Sequence, residues 1–563
     1  VADFTKNANA TLKLGAAAYL RPDLPPQTAG QRRFQHDNAI GTSSRIRPDI
    51  GSFPPAWAAS AVSRLKARSA TRPTWVSSAA ARQHHSNAVA RSRRELKGSN
   101  TMAYQTVNPY DNHVVATFDD LTDEQAMELL GQAQKTFESW SQTSFAERTA
   151  VIKRSAAILR ERSDEFARLL TLEMGKLYTE ALGEVELSAQ ILDYYAEKSE
   201  GFLAPEPLET ASADDTAMLV SAPLGVILGV QPWNFPYYQL ARVAGPNLMA
   251  GNVVMVKHAS NVPQAAAAFE KLLLEAGAPA GAYTNLYATK DQINLLIDDD
   301  RVRGVALTGS EGAGAVVAAR AGRNLKKSTM ELGGSDAFIA LADCDLDKTV
   351  AWAVHGRVFN GGQCCVASKR IVVVDEIADE FLAKFQAAMS GLKAGDPFDA
   401  STTLAPMCTQ KAADDLNAQI NAAVEAGAKA IPCGESVPSK GAFIQPTILT
   451  DLTPDNPAYY EEFFGPVALF FRVKDEDEAV RLANDSRFGL GGSVFTSDVE
   501  HGIEVAKRIE TGMVNTNHPA RLKADLPFGG VKISGYGHEL AHLGIEEFIN
   551  KKLINVVPID APA

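Results

Sequence analysis

Val226-Ile227-Leu228-Gly229-Val230-Gln231-Pro232-Trp233-Asn234-Phe235-Pro236 reads as a buried strand that runs into a polar turn. Five residues without a polar side chain, and without alternation, suit a strand covered on both faces, as in a parallel sheet. Similar short runs follow at Val253-Val254-Met255-Val256 and Val305-Ala306-Leu307, with helical stretches such as 265–274 between them, set off by Gly- and Pro-containing turns. Alternation of this kind implies an α/β architecture, a parallel sheet with helices on both faces. A second alternating region begins near Ser335 and reaches about Pro519, so two α/β units follow one another. Ahead of both, residues 122–200 read as long amphipathic helices, with Ala150, Ile152, Ala156, Ile158 and Leu159 recurring at three and four.

Loops at the carboxyl ends of parallel strands border the ligand crevice. The turn after residue 230 places Asn234 there, where its amide could stabilise an oxyanion or serve only the turn. Lys257 and Ser260 follow the second strand, and Thr308-Gly309-Ser310 the third. Glu331 precedes Leu332-Gly333-Gly334, and further on stands Phe359-Asn360-Gly361-Gly362-Gln363-Cys364-Cys365. A thiol can attack an aldehyde carbonyl, and a carboxylate can activate the water that later releases an acid. Cys365 is read as heading a helix over 366–370, whose N-terminus would favour the thiolate.

These signatures, with Glu461-Glu462-Phe463-Phe464-Gly465-Pro466 and Pro527-Phe528-Gly529-Gly530 farther on, resemble those of the aldehyde dehydrogenase superfamily. The resemblance spans about residues 104–557. It implies a Rossmann-like cofactor domain over 102–333, with an arm segment at 204–220, and a catalytic α/β domain over 334–519. A return segment with an oligomerisation strand would occupy 520–563. It also implies Cys365 as nucleophile, Asn234 as oxyanion donor and Glu331 as general base with a raised pKa. Trp233, Lys257, Ser260, Gly309, Ser310, Glu462 and Phe464 would bind the cofactor, NADP or NAD. Where family members commonly carry a Glu that chelates the adenosine ribose, Ser260 removes a charge that would repel a 2′-phosphate.

The body is most similar to short bacterial-type succinate-semialdehyde dehydrogenases. In that branch Tyr238, Arg242 and Phe528 would contact substrate, the Arg242 guanidinium forking a distal carboxylate. A structural ion pair is the alternative for Arg242. The loop 519–526 departs from the branch, with Leu522 and Asp525 where a Ser and an Arg are expected, which favours a less polar or aromatic aldehyde. Acyl transfer to coenzyme A is opposed by the retained Glu331, and a non-catalytic protein on this fold by the intact Asn234, Glu331 and Cys365.

The composition agrees with an enzyme of two or three domains: 563 residues, 45% hydrophobic and 22% charged, with five cysteines. So few cysteines argue for a reducing compartment, and no Cys-x-x-Cys pair occurs, so no metal is expected. No apolar stretch has the roughly 18 residues that cross a bilayer. The expected partners are a small aldehyde and further copies of the chain, as homodimer or homotetramer, with no nucleic acid and no membrane. Residues 1–101 differ from the rest, with 16 Lys and Arg against 5 Asp and Glu. They read as sequence upstream of a start at Met102, as a transit peptide, or as a disordered arm. The first reading gives a cytoplasmic protein, the second a mitochondrial one.

Overall fold

The structure, a computed structural model, describes residues 104–211 and 215–561. The expectations for 1–101 lie outside the described residues.

Four helices open the body: Asp123–Trp140, Phe145–Glu161, Ser163–Met174 and Tyr178–Phe202. Their starts are written locally. Thr122 with Gln125, and Ser144 with Glu147, form reciprocal capping boxes that satisfy otherwise unpaired amides. Gly175, at φ 79°, closes the third helix in the left-handed conformation that glycine adopts without strain.

The strand Val226–Gln231 is central in a six-stranded sheet. Val253–His258 and then Tyr283–Asn285 lie on one side of it, and Val302–Thr308 and then Lys327–Glu331 on the other. These five strands are parallel, with Val226 facing Val253 and Val302. Gly535–Tyr536 closes the edge antiparallel to Lys327–Glu331. The chain reverses its direction across the sheet between Gln231 and Thr308, the switch point where open α/β sheets bind ligands. The helix Pro236–Ala250, buried along its whole length, packs against Tyr178–Phe202 and the sheet.

The second sheet has seven strands in the order Lys429–Pro432, Thr447–Thr450, Val467–Val473, Ser368–Val374, Asp336–Ala340, Gly492–Phe495 and Asn515–Thr516. All pairs are parallel except the first. The order reverses between Asp336–Ala340 and Gly492–Phe495, and in the central strand Ser368–Val374 the apolar run Ile371-Val372-Val373 is fully buried.

That strand corrects one expectation. Ser368–Val374 is extended, so Cys365 heads no helix. The β-branched run that follows Arg370 packs on both faces of the sheet, which outweighs the helical reading of Val366-Ala367. The groups that lower the Cys365 pKa are instead the side chains of Lys369 and Arg242.

A separate three-stranded sheet joins Glu206–Leu208, Thr216–Pro223 and Ile549–Val556. Leu553 and Val556 are each 58% exposed on it. Among the described residues no helix is long and apolar enough to cross a membrane.

Candidate active site

The cysteine segment leaves the helix Leu346–Val358 through a 3-10 turn, Phe359–Gly362, in which Asn360 takes φ 57°. Asparagine tolerates that left-handed conformation better than most residues, and both Nδ2 hydrogens of Asn360 are engaged. Nδ2 donates to the Asn234 carbonyl at 2.8 Å and to the Gln363 carbonyl at 3.1 Å, while its backbone N–H donates to Glu180 at 3.1 Å. The Asn234 side-chain amide itself donates to the Gln363 carbonyl at 3.2 Å. Thus the loop after the central strand of one sheet and the cysteine turn leading into the other are hydrogen-bonded directly. Gly334 lies over the result: a Cβ there would fall 2.6 Å from the Cys365 carbonyl oxygen.

Cys364 is buried, whereas Cys365 is partly open. The two thiols titrate together. Their mutual hydrogen bond, followed by burial, holds the Cys365 proton well above the ordinary thiol range, while Lys369 and Arg242 pull it down.

Beneath Asn234 lies a buried ion pair between Lys176 and Glu184, with side-chain exposures of 0% and 1%. Lys176 Nζ also donates to the Asn234 carbonyl at 3.1 Å and sits 3.8 Å from the Phe235 ring centroid. Glu184 Oε1 accepts the N–H groups of Tyr237 and Tyr238 at 2.9 and 3.2 Å, capping the Pro236–Ala250 helix from another element.

Glu331 ends its strand fully buried, and among the described residues neither carboxylate oxygen has a hydrogen-bond partner. Burial pushes its pKa up to about 8, against a smaller opposing pull from Arg242. The Arg242 charge lowers the pKa of both Glu331 and Cys365, so both groups feel one guanidinium. A carboxyl that titrates near neutrality beside a thiol has the proton affinity a general base needs.

Arg242 is not free, however. It pairs with Glu539, donates to Tyr238 Oη at 3.1 Å and Thr308 Oγ1 at 3.2 Å, and lies 4.6 Å from the Phe528 ring centroid. The structural ion pair is the arrangement observed. Tyr238 and Phe528 are buried on either side of it, at 2% and 3% exposure. In the loop 519–526, Leu522 packs against the core beside Ala520 and Ala524.

The residues at the switch point fit a nicotinamide dinucleotide. Thr308-Gly309 ends a central strand, and Ser310 caps the 13-residue helix Glu311–Arg323, whose first amides are the usual seat of a pyrophosphate. Half-buried Lys257 donates to the His258 carbonyl at 2.9 Å; burial, with Lys290 nearby, lowers its pKa to about 8. Ser260 stands three residues on, with no carboxylate between. Trp233 and Phe464 meet edge to face at 5.8 Å, and Glu462 Oε1 accepts the Gly334 N–H at 3.0 Å.

Several of these groups carry no sequence motif of their own: Lys176, Glu184, Lys369 and Glu539. A further spacing bears on metals. His538-Glu539-Leu540-Ala541-His542 would put two imidazoles on one face of a helix. The helix begins only at Ala541, Leu540 takes φ 64°, and Glu539 turns inward to Arg242. Among the described residues no cluster of three His, Cys, Asp or Glu could hold a metal ion.

With this geometry, the comparisons are direct. The model of the aldehyde dehydrogenase family matches residues 96–554, and the chain belongs to that family. It is an NAD(P)-dependent aldehyde dehydrogenase. It is 50% identical over 455 residues to a succinate-semialdehyde dehydrogenase [NADP(+)] of Deinococcus radiodurans, covering 81% of this chain and 95% of the relative. A probable succinate-semialdehyde dehydrogenase [NADP(+)] of Synechocystis is 43% identical, covering 80% and 99%. Among solved structures, succinic semialdehyde dehydrogenase from Streptococcus pyogenes in complex with NADP+ is 47% identical with a TM-score of 0.79, covering 81% and 100%.

Proposed function

We propose that this protein oxidises succinate semialdehyde to succinate with NADP+, through Cys365. One observation carries the chemistry: the Asn234 amide is hydrogen-bonded to the Gln363 carbonyl, two residues before Cys365, while the buried Glu331 carboxyl is left without a partner and the Arg242 charge bears on both thiol and carboxyl. Cys365, as thiolate, adds to the aldehyde carbon, and Asn234 Nδ2 turns from the Gln363 carbonyl to the oxyanion that forms. A nicotinamide dinucleotide held at this switch point would supply the acceptor for the hydride that this carbon loses. Glu331 then takes a proton from water as its oxygen attacks the Cys365 thioester, and the carboxylic acid departs with the thiolate restored. Lys257 and Glu462 would hold the two riboses.

Two features support NADP. Ser260 presents no negative charge to a 2′-phosphate, and Lys257, whose pKa is lowered by burial and then by the Lys290 ammonium, has a second cation near it. The named relatives support succinate semialdehyde. A second reading, an aldehyde without a distal carboxylate, is favoured by the Arg242–Glu539 pair and by apolar Leu522.

The exposed three-stranded sheet supports a homo-oligomer, and the five free cysteines a reducing compartment such as the cytoplasm. The two sheets support a cofactor domain over 102–333 and a catalytic domain over 334–519.

The test is a panel of aldehydes assayed with NADP and NAD, alongside Cys365→Ala. Reduced cofactor from succinate semialdehyde in wild type only is the expected result. Faster turnover of butanal or benzaldehyde than of succinate semialdehyde would replace the first reading with the second.

A further inference from the structure

Lys369 is the second residue of the strand Ser368–Val374, and its side chain is fully buried. An ammonium carries three N–H donors. Three acceptors surround this one: the Cys364 carbonyl at 2.8 Å, the Cys365 carbonyl at 2.6 Å and Glu462 Oε1 at 3.0 Å. No donor is left over, so its direction is fixed. Glu462 Oε1 also takes the Gly334 N–H, while Oε2 lies beside Gly333, where a Cβ would approach within 2.5 Å. The Phe464 ring centroid is 5.6 Å from Nζ. Glu462 and Phe464, on the cofactor side, and both cysteines therefore meet at a single side chain.

We propose that Lys369 is a positioning residue that couples the cofactor-binding carboxylate Glu462 to the nucleophile. With Oε1 occupied by Lys369 and Gly334, the carboxylate keeps Oε2 for a ribose hydroxyl. With the Cys364 and Cys365 carbonyls drawn to the same ammonium, the sulfur's place is set against that carboxylate. The positive charge also favours both thiolates. This inference rests on the proposed roles of Cys365 and Glu462.

The other groups acting on the Cys365 thiol are Cys364, Arg242 and Tyr238. Those acting on the Lys369 end are Asp336, beside it in the core, and Arg357, which acts on Cys364, Glu462 and Asp336. Neither Lys369→Met nor Glu462→Gln touches these groups, so their background is common to every variant.

The experiment measures the pH dependence of Cys365 alkylation by iodoacetamide, localised by mass spectrometry, in the full-length chain. Lys369→Met removes the positive charge and should move the alkylation midpoint up by about one pH unit. Glu462→Gln leaves Lys369 without its carboxylate and should move the midpoint down. Both variants should weaken NADP+ binding by about tenfold in calorimetry. A folded Lys369→Met with the wild-type midpoint, or shifts of both variants in one direction, would overturn the proposal. A merely structural lysine would lower the melting temperature and leave the midpoint in place. If Lys369→Met does not fold, Glu462→Gln alone decides, since an unchanged or raised midpoint refutes the coupling. If wild type binds no NADP+, the cofactor role of Glu462 falls, while the alkylation midpoints still judge the link between Lys369 and the thiol.

Discussion

Asn360 and Asn234 are joined side chain to main chain at 2.8 Å, across the gap between the cysteine turn and the loop that leaves the first sheet. The Asn234 carbonyl receives a second donor from Lys176, and Lys176 is neutralised by Glu184. The proposed oxyanion donor and the cysteine segment thus share one buried polar cluster.

Lys176→Met should destabilise the protein by about 3–5 kcal/mol, because it strands a buried carboxylate. Adding Glu184→Leu should not restore wild-type stability, since Glu184 also accepts the Tyr237 and Tyr238 amides. Urea unfolding of the two variants checks this, and full recovery in the double variant would refute the capping role.

Glu331→Gln should alter stability and turnover in opposite ways. The fold favours the neutral carboxyl, raising its pKa from 4.5 to about 8, so the native state binds the extra proton between those values. Stability contributed by this group is present at low pH and declines as pH rises through that window. The variant should therefore melt above wild type at pH 8, with the gap closing toward pH 5. Turnover should rise through about pH 8 in wild type as the base is freed, and Glu331→Gln should lose that limb. Melting curves and a pH profile of kcat read the two effects.

Ser260→Glu should lower kcat/KM for NADP+ by about tenfold or more while sparing NAD+, because a carboxylate at this position would face a 2′-phosphate and could chelate ribose hydroxyls. Steady-state kinetics with both cofactors test it. An unchanged preference would remove Ser260 from the recognition of the adenosine end.

Arg242→Met should destabilise by several kcal/mol, about 3–5, through the uncompensated Glu539 carboxylate. The double variant Arg242→Met with Glu539→Met should regain most of the loss, because the site is walled by Tyr238 and Phe528. Thermal melts of the single and double variants measure the coupling.

The first sheet was legible because doubly covered parallel strands are unbroken apolar runs, as at Val226–Val230, and because Pro232–Pro236 follows at a strand end. The residues around Cys365 were legible as a motif, yet their local structure was misread. Val366-Ala367 has too little pattern to choose helix over strand, and the deciding run at Ile371-Val372-Val373 lies farther on. Arg242 shows the harder limit. Its partner is Glu539, on a segment almost 300 positions away, where no local spacing in the sequence reaches. Lys369 was hidden likewise, reading as one residue of the expected helix 366–370 until Glu462 and the cysteine carbonyls are brought around it. The spacing at 538–542 is the converse, a recognisable pattern whose required helix does not form.

Asn234 is held by its main chain, through Asn360 and Lys176, and is tethered only by a single 3.2 Å bond at its amide. Its anchored end and its working end are therefore separate. The amide can rotate toward a new acceptor without the residue shifting, and its distance from the sulfur is governed by contacts near 3 Å. Packing errors that build up across two hydrophobic cores do not enter that distance, so the reaction centre has a finer tolerance than the sheets that carry it.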